Sequence, residues 1–222
     1  MKLLLSATAA LLTTVSAFAA DLPSKKSANA APVAAASSWT GVYGGLNAAY
    51  QFSQQSHTTR FDGTAATNYS GLNGFLAGGQ IGADYQIDNF VLGVAGDYDK
   101  SMATKTWNPA ANTTLKSTQD YVATIRGRAG YAFSSQLLAY ATGGWAFNKA
   151  KSTWTQPGGS LSASASMNGY VIGAGVEHKY TNNISSFVEY RYYDFAKVSV
   201  PVFSVRTGST SSEVRAGVNY RF

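Results

Sequence analysis

Asp84, Asp97, Asp99, Asp120, Arg126, Arg128, Glu177, Glu189, Arg191, Glu213, Arg215 and Arg221 share one habit: each stands in a run whose alternate residues are apolar or small. Carboxylates and guanidiniums interleaved in this way suit ion pairing or the lining of a polar channel. The two histidines, His57 and His178, add imidazoles, which suit acid–base chemistry or metal ligation. His57 has Ser56 and Asp62 close by in sequence, the company a lipid-modifying hydrolase would need, yet such neighbours are common in any polar loop. The chain has no Cys, and its Gly-Gly pairs fall inside alternating runs, where they serve close packing rather than a phosphate loop. No catalytic, cofactor or metal site is assigned, and the chain is not read as an enzyme. Haem or metal binding through His57 and a loop tyrosine such as Tyr69 is a weaker alternative.

The elements that position these charges are strands, because the pattern has period two. In 40–52, Val42, Leu46, Ala48, Tyr50 and Phe52 alternate with positions that include Asn47 and Gln51. Phe75 to Tyr85 and Phe90 to Tyr98 repeat the pattern, followed by Tyr121 to Phe133 and Leu137 to Phe147. Tyr170 to Val176, Val188 to Tyr192 and Val214 to Phe222 complete eight runs, each near the 9 to 11 residues that cross a bilayer at a tilt of about 45°. Short links near 87–89, 134–136 and 180–183 alternate with long polar segments at about 53–71, 100–119, 149–166 and 196–211. The fold class expected is all-β: an eight-stranded antiparallel transmembrane β-barrel with short periplasmic turns and four long extracellular loops.

Composition supports a membrane solvent. Only 13% of residues are charged, against about 25% in soluble domains. The apolar phase carries no Lys, Arg, Asp or Glu until Asp194 at a strand end, while the twelve charges above occupy the other phase. A Lys or Arg facing lipid at mid-membrane costs about 2–4 kcal/mol, so this sorting is what a barrel requires. Tyr50, Tyr98, Tyr121, Trp145, Phe147, Tyr170 and Tyr192 lie toward the long-loop ends, and Tyr85, Phe90, Tyr131, Phe133, Tyr220 and Phe222 toward the short turns. Two aromatic girdles are expected. Arg at outward Val94 or Ala123 should therefore be costly, and Asn at inward Gly93 or Thr124 milder.

The N-terminus reads as a targeting segment. Lys2, an apolar run from Leu3 to Val15 and Ala17-Phe18-Ala19 make a cleavable signal peptide over 1–19, with the cut after Ala19 or Ala20. Residues 20–38, rich in Ala and Ser with Pro23 and Pro32, read as a flexible periplasmic linker, and 39–222 as the barrel domain.

Seven acidic and five basic side chains in the lumen of an eight-stranded barrel must pair with one another, because side chains just fill such an interior. A paired network either packs the interior or gates a small pore. The net charge of +6 arises elsewhere, in the long loops, where Arg60, Lys100, Lys105, Lys116, Lys149, Lys151, Lys197 and Arg206 stand against Asp62. Basic loops just beyond a membrane attract the phosphates and carboxylates of outer-membrane lipid and lipopolysaccharide. Scattered basic residues on an exported chain disfavour nucleic acid as a partner.

The run ADLP at Ala20, WTGVYGGLNAAY at Trp39, LLAYATGGWAF at Leu137, VEYRYYDF at Val188 and the ending VRAGVNYRF together resemble the small outer-membrane immunogenic, porin-like proteins of alphaproteobacteria. The resemblance covers nearly the whole mature chain. It implies an eight-stranded barrel similar in architecture to the membrane domain of outer membrane protein A. It also implies a terminal face, Val218, Tyr220 and Phe222, similar to the signal that the barrel-assembly machinery reads. Members are described as abundant surface antigens, some as porin-like or haem-binding. The function expected is that of an integral outer-membrane protein with a structural and surface-interaction role. The alternatives are a narrow passive pore and a surface protein that binds haem or host ligands.

Overall fold

The computed structural model describes residues 38–60, 72–110, 112–200 and 205–222. The signal and nearly all of the linker lie outside these residues, as do Asp62 and Tyr69. Alternating apolar and polar residues, dense in Val, Tyr, Phe and Thr, favour extended backbone, and every element is a strand: β1 (Gly41–Arg60), β2 (Gly74–Ile87), β3 (Phe90–Ser101), β4 (Thr104–Ala110), β5 (Thr113–Ala132), β6 (Leu137–Gln156), β7 (Gly159–Lys179), β8 (Ile184–Val200) and β9 (Val205–Arg221).

All neighbours pair antiparallel. β2 pairs with β1 and β3, β9 pairs with β1 and β8, and β6 and β7 continue the series to β5. The pairing of β3 with β5, from Phe90↔Tyr131 to Lys100↔Tyr121, joins the two ends of the sheet. Eight strands thus form a closed circuit. Closure removes the unpaired edges that hydrocarbon would not tolerate. β4 stands outside the circuit as a short strand on the projecting part of β5.

Short turns at Asp88-Asn89, 133–136 and 180–183 gather at one end. The opposite end differs from the expectation of long loops. The segment 100–119 holds the β4–β5 hairpin, and 149–166 is continuous pairing of β6 with β7 out to Gln156↔Gly159. β1 likewise runs on to Arg60 against Val205. Beyond the bilayer both faces of a strand meet water, so apolar alternation is lost although Thr and Ser still favour pairing. From Phe147 to Gln156, β6 projects roughly 20 Å at a barrel tilt.

The outward phase carries the apolar residues, with Leu46 76% exposed and Val94 63%. The aromatic girdles are in place. Tyr50 and Phe75 meet edge-on at 4.9 Å and Tyr98 stacks on Tyr121 at 5.2 Å toward the hairpins, while Phe90 meets Tyr131 at 5.5 Å and Tyr220 meets Phe222 at 5.1 Å at the turns. Asp194, the acid at the end of the outward phase, accepts a hydrogen bond from the Tyr170 hydroxyl at 3.1 Å.

Candidate functional site

The inward phase brings eleven of the twelve charges expected in the lumen to buried positions. Asp120 is the correction. A bulge between Gln119 and Tyr121 shifts the β5–β6 register, so Gln119 takes the inward place and is fully buried. Asp120 is left half buried and makes none of the ion pairs of the described residues.

The eleven divide into two clusters. In the larger, Asp97 is the hub: its carboxylate lies 2.8 Å from Arg126 Nη2, 3.0 Å from Arg191 Nη1 and 3.3 Å from Arg215 Nη1. Arg126 also reaches Glu189 at 3.1 Å, and Arg191 meets the same carboxylate. Arg215 pairs with Asp99 and, through Nε, with Glu213 at 3.0 Å. The hydroxyl of Thr124 donates to Asp97 at 2.6 Å. In the smaller cluster Arg128 pairs with Glu177 and lies 3.5 Å from Asp84, which also takes Arg221 at 2.9 Å. Ser185 and Asn219 donate to Glu177 at 2.6 and 3.2 Å. Tyr140 links the two sets, donating from its hydroxyl to Glu189 at 2.9 Å while its ring sits 3.8 Å from the Arg128 guanidinium carbon. Buried charges are tolerated only when paired and hydrogen-bonded in this way.

Apolar layers flank the charges. Toward the hairpins, Ala49, Leu76, Val122, Ala146, Met167, Val171, Tyr193 and Phe195 form one buried cluster. Toward the turns, Trp39 packs with Val91, Ala132, Leu138 and Tyr140 and is 0% exposed. Its amide donates to Gln86 Oε1 at 2.7 Å, its carbonyl accepts from Arg221, and the Lys179 ammonium stands 4.2 Å from its ring. Lys179 also donates to the Ser38 carbonyl at 2.8 Å. The chain entering β1 is thereby folded across the turn end of the lumen. Trp39 and Lys179 are the residues that sequence reasoning missed. The signal was available, since Trp39 falls on the inward phase of Tyr43, Asn47 and Gln51.

Such an interior holds its charges by mutual pairing, with apolar side chains on either side of them. Buried polar groups such as Gln51, Gln119 and Asn148 stand among the apolar residues at the hairpin end. Val218, Tyr220 and Phe222 sit on the outward face of β9, 54%, 50% and 81% exposed. Of His57 the backbone alone is described, on the projecting part of β1 opposite Gly208. His178 lies near the turns against Tyr180, ring centres 4.8 Å apart, far along β7 from any hairpin tip. Among the described residues no group of His, Asp and Glu has the arrangement of a metal site.

Comparison with known proteins agrees with the fold. Residues 26–222 match the family model described as outer membrane protein beta-barrel domain. The 31 kDa outer-membrane immunogenic protein of Brucella melitensis is 33% identical over 241 residues, with all of both chains covered. The 22 kDa outer membrane protein of Rhizobium leguminosarum is 30% identical over 203 residues, covering 88% of this chain and 83% of its own. Among solved structures, the outer membrane protease OmpT of Escherichia coli superposes with a TM-score of 0.51 at 10% identity, covering 82% of this chain and 97% of its own. At that identity the likeness is one of barrel architecture alone. The chain belongs to the outer membrane protein β-barrel family and is an integral protein of the outer membrane, similar along its whole length to outer-membrane immunogenic proteins.

Proposed function

We propose that the barrel is a sealed scaffold that displays its long hairpins at the cell surface, with a structural and surface-interaction role and no catalytic one. The observation that carries this reading is the crosslinked interior: eleven buried, mutually paired charges between an apolar cluster and the Trp39 plug. A passive pore needs a continuous polar path, and a packed interior spends its side chains on one another. Short turns face the periplasm and long hairpins face outward in barrels of this kind. The outward face of β9, ending at Val218, Tyr220 and Phe222, offers the assembly machinery an apolar strand, and basic residues at the hairpin end offer lipopolysaccharide a counter-charge.

Orientation is open to a clean test because the chain has no Cys. A single Cys replacing Ser160 at the β6–β7 hairpin should react with a membrane-impermeant maleimide on intact cells, whereas one replacing Ser135 in a short turn should react only after the outer membrane is opened. The reverse pattern would overturn surface display of the hairpins.

A further inference from the structure

Registers place a cationic patch directly above an apolar groove on the outward face of β3, β5 and β6. Tyr98, Ala123 and Phe147 form one cross-strand row. The next outward row is Lys100, Tyr121 and Lys149. Lys151 follows two residues on, opposite Thr118, and Lys116 lies opposite Thr153. Successive outward residues on a strand are roughly 7 Å apart and neighbouring strands about 4.8 Å, so the four lysines stand on one stretch of surface with their backbones within roughly 15 Å of one another. Lys100, Lys116 and Lys151 are exposed, Lys149 is half exposed, and none of the four has an ion pair among the described residues. The facing positions on β7, Ser164 and Ser166, are uncharged. Asp99, next to Lys100 in sequence, is buried inward against Arg215, and Asp120 stands at the bulge.

On the membrane side of this patch lies an open groove of about 510 Å³, with Gly79, Gly96 and Ala123 as its floor and Tyr98, Ile125 and Phe147 among its walls. Gly96 is a true gap in the lipid-facing surface. A Cβ built there meets only the Thr124 carbonyl oxygen, at 3.5 Å, so nothing in the packing demands glycine at that position. Cations at headgroup depth, a stacked Tyr98–Tyr121 pair at the girdle and a groove below it match the two halves of an anionic amphiphile.

We propose that Lys100, Lys149 and Lys151, with Lys116 beyond them, hold the phosphates of a phosphorylated glycolipid of the outer leaflet while one acyl chain lies in the Gly79–Gly96–Ala123 groove. This site rests on the outward orientation of the hairpins. Near a membrane surface each cation adds a modest increment of attraction, and three together amount to at least a tenfold change in retention, roughly.

The test uses the folded mature barrel in phosphatidylcholine vesicles doped with bisphosphorylated lipid A, with native mass spectrometry counting the glycolipid retained after detergent release. Wild type should keep one lipid A, and dephosphorylated lipid A should be kept at least tenfold less. K100Q/K149Q/K151Q should lose about tenfold or more, while the charge-matched control R60Q/K197Q/R206Q keeps wild-type retention. G96V/A123L, which fills the groove and leaves the lysines alone, should reduce retention severalfold. Equal losses in the triple variant and the control would overturn the site in favour of diffuse attraction. Unchanged retention in G96V/A123L, together with equal binding of a soluble sulfated oligosaccharide, would overturn a lipid as the occupant. A wild-type chain that inserts and folds in the vesicles with its hairpins inverted in cells would instead count against surface display, on which the site depends.

Discussion

The two faces of β3 obey different rules. Outward, Leu92, Val94 and Tyr98 touch lipid, and what matters is transfer free energy: an apolar residue of any similar size will serve. Inward, Asp97 and Asp99 are each tied to arginines on strands remote in sequence, Arg126 on β5, Arg191 on β8 and Arg215 on β9. There the requirement is geometric, and one altered side chain strands several partners. A barrel of this size is therefore fixed from within, with the outer face acting as a solvent-matched coat.

The largest expected effect is therefore on the inside. Arg191→Ala leaves Asp97 and Glu189 short of a counter-charge in a buried site, a loss of about 3–5 kcal/mol that reversible urea unfolding in detergent would measure. A loss under 1 kcal/mol would mean that the cluster does not hold the strands together. Val94→Arg on the opposite face should cost about 2–4 kcal/mol in lipid vesicles. Transfer should be far cheaper in detergent, because a micelle lets the guanidinium reach water.

Gly93 sharpens the contrast. By sequence pattern, Asn at this inward position looked mild. The structure corrects that: a Cβ on Gly93 would come within 2.7 Å of the Ala83 carbonyl and closer still to Asp84. Gly93→Asn should cost about 1–3 kcal/mol by overpacking and push Asp84 off Arg221. Thr124→Asn has its own penalty, since the Thr124 hydroxyl donates to Asp97. By comparison Val94→Leu, facing lipid, should change stability by less than about 1.5 kcal/mol. Deleting Phe222 removes an exposed ring paired with Tyr220 and should cost about 1 kcal/mol on refolding in detergent. Its effect on the yield assembled in cells should be larger if β9 carries an assembly signal, and equal losses in both settings would remove that role.

Much of the architecture was legible because a bilayer imposes period two so strictly. Strand phase, strand order by antiparallel neighbours, both girdles and the inward placement of Arg126, Arg128 and Arg191 all follow from which residues lipid excludes. What the sequence hid has three physical causes. Projecting strands such as the end of β6 meet water on both faces, so their pairing leaves no apolar alternation and they resembled loops. The bulge at Asp120 shifts phase by one residue without a Gly or Pro to announce it. Pairing choice is the third: spacing shows that Asp97 points inward but not that it gathers Arg126, Arg191 and Arg215, because those contacts depend on ring closure. The phase of Trp39 was legible, but its role as a plug appears only once Lys179 and Arg221 arrive from β7 and β9.

Planar-bilayer conductance of the refolded mature chain reads whether the lumen is sealed. Wild type should insert, as judged by heat-modifiable migration from the same vesicles, and give no reproducible channel. The substitution Trp39→Ala should remain silent too, because the paired charges and the Leu76, Val122 and Phe195 cluster stay in place above it. A uniform, ion-selective open state from the wild-type protein would contradict the packed interior and restore the narrow pore.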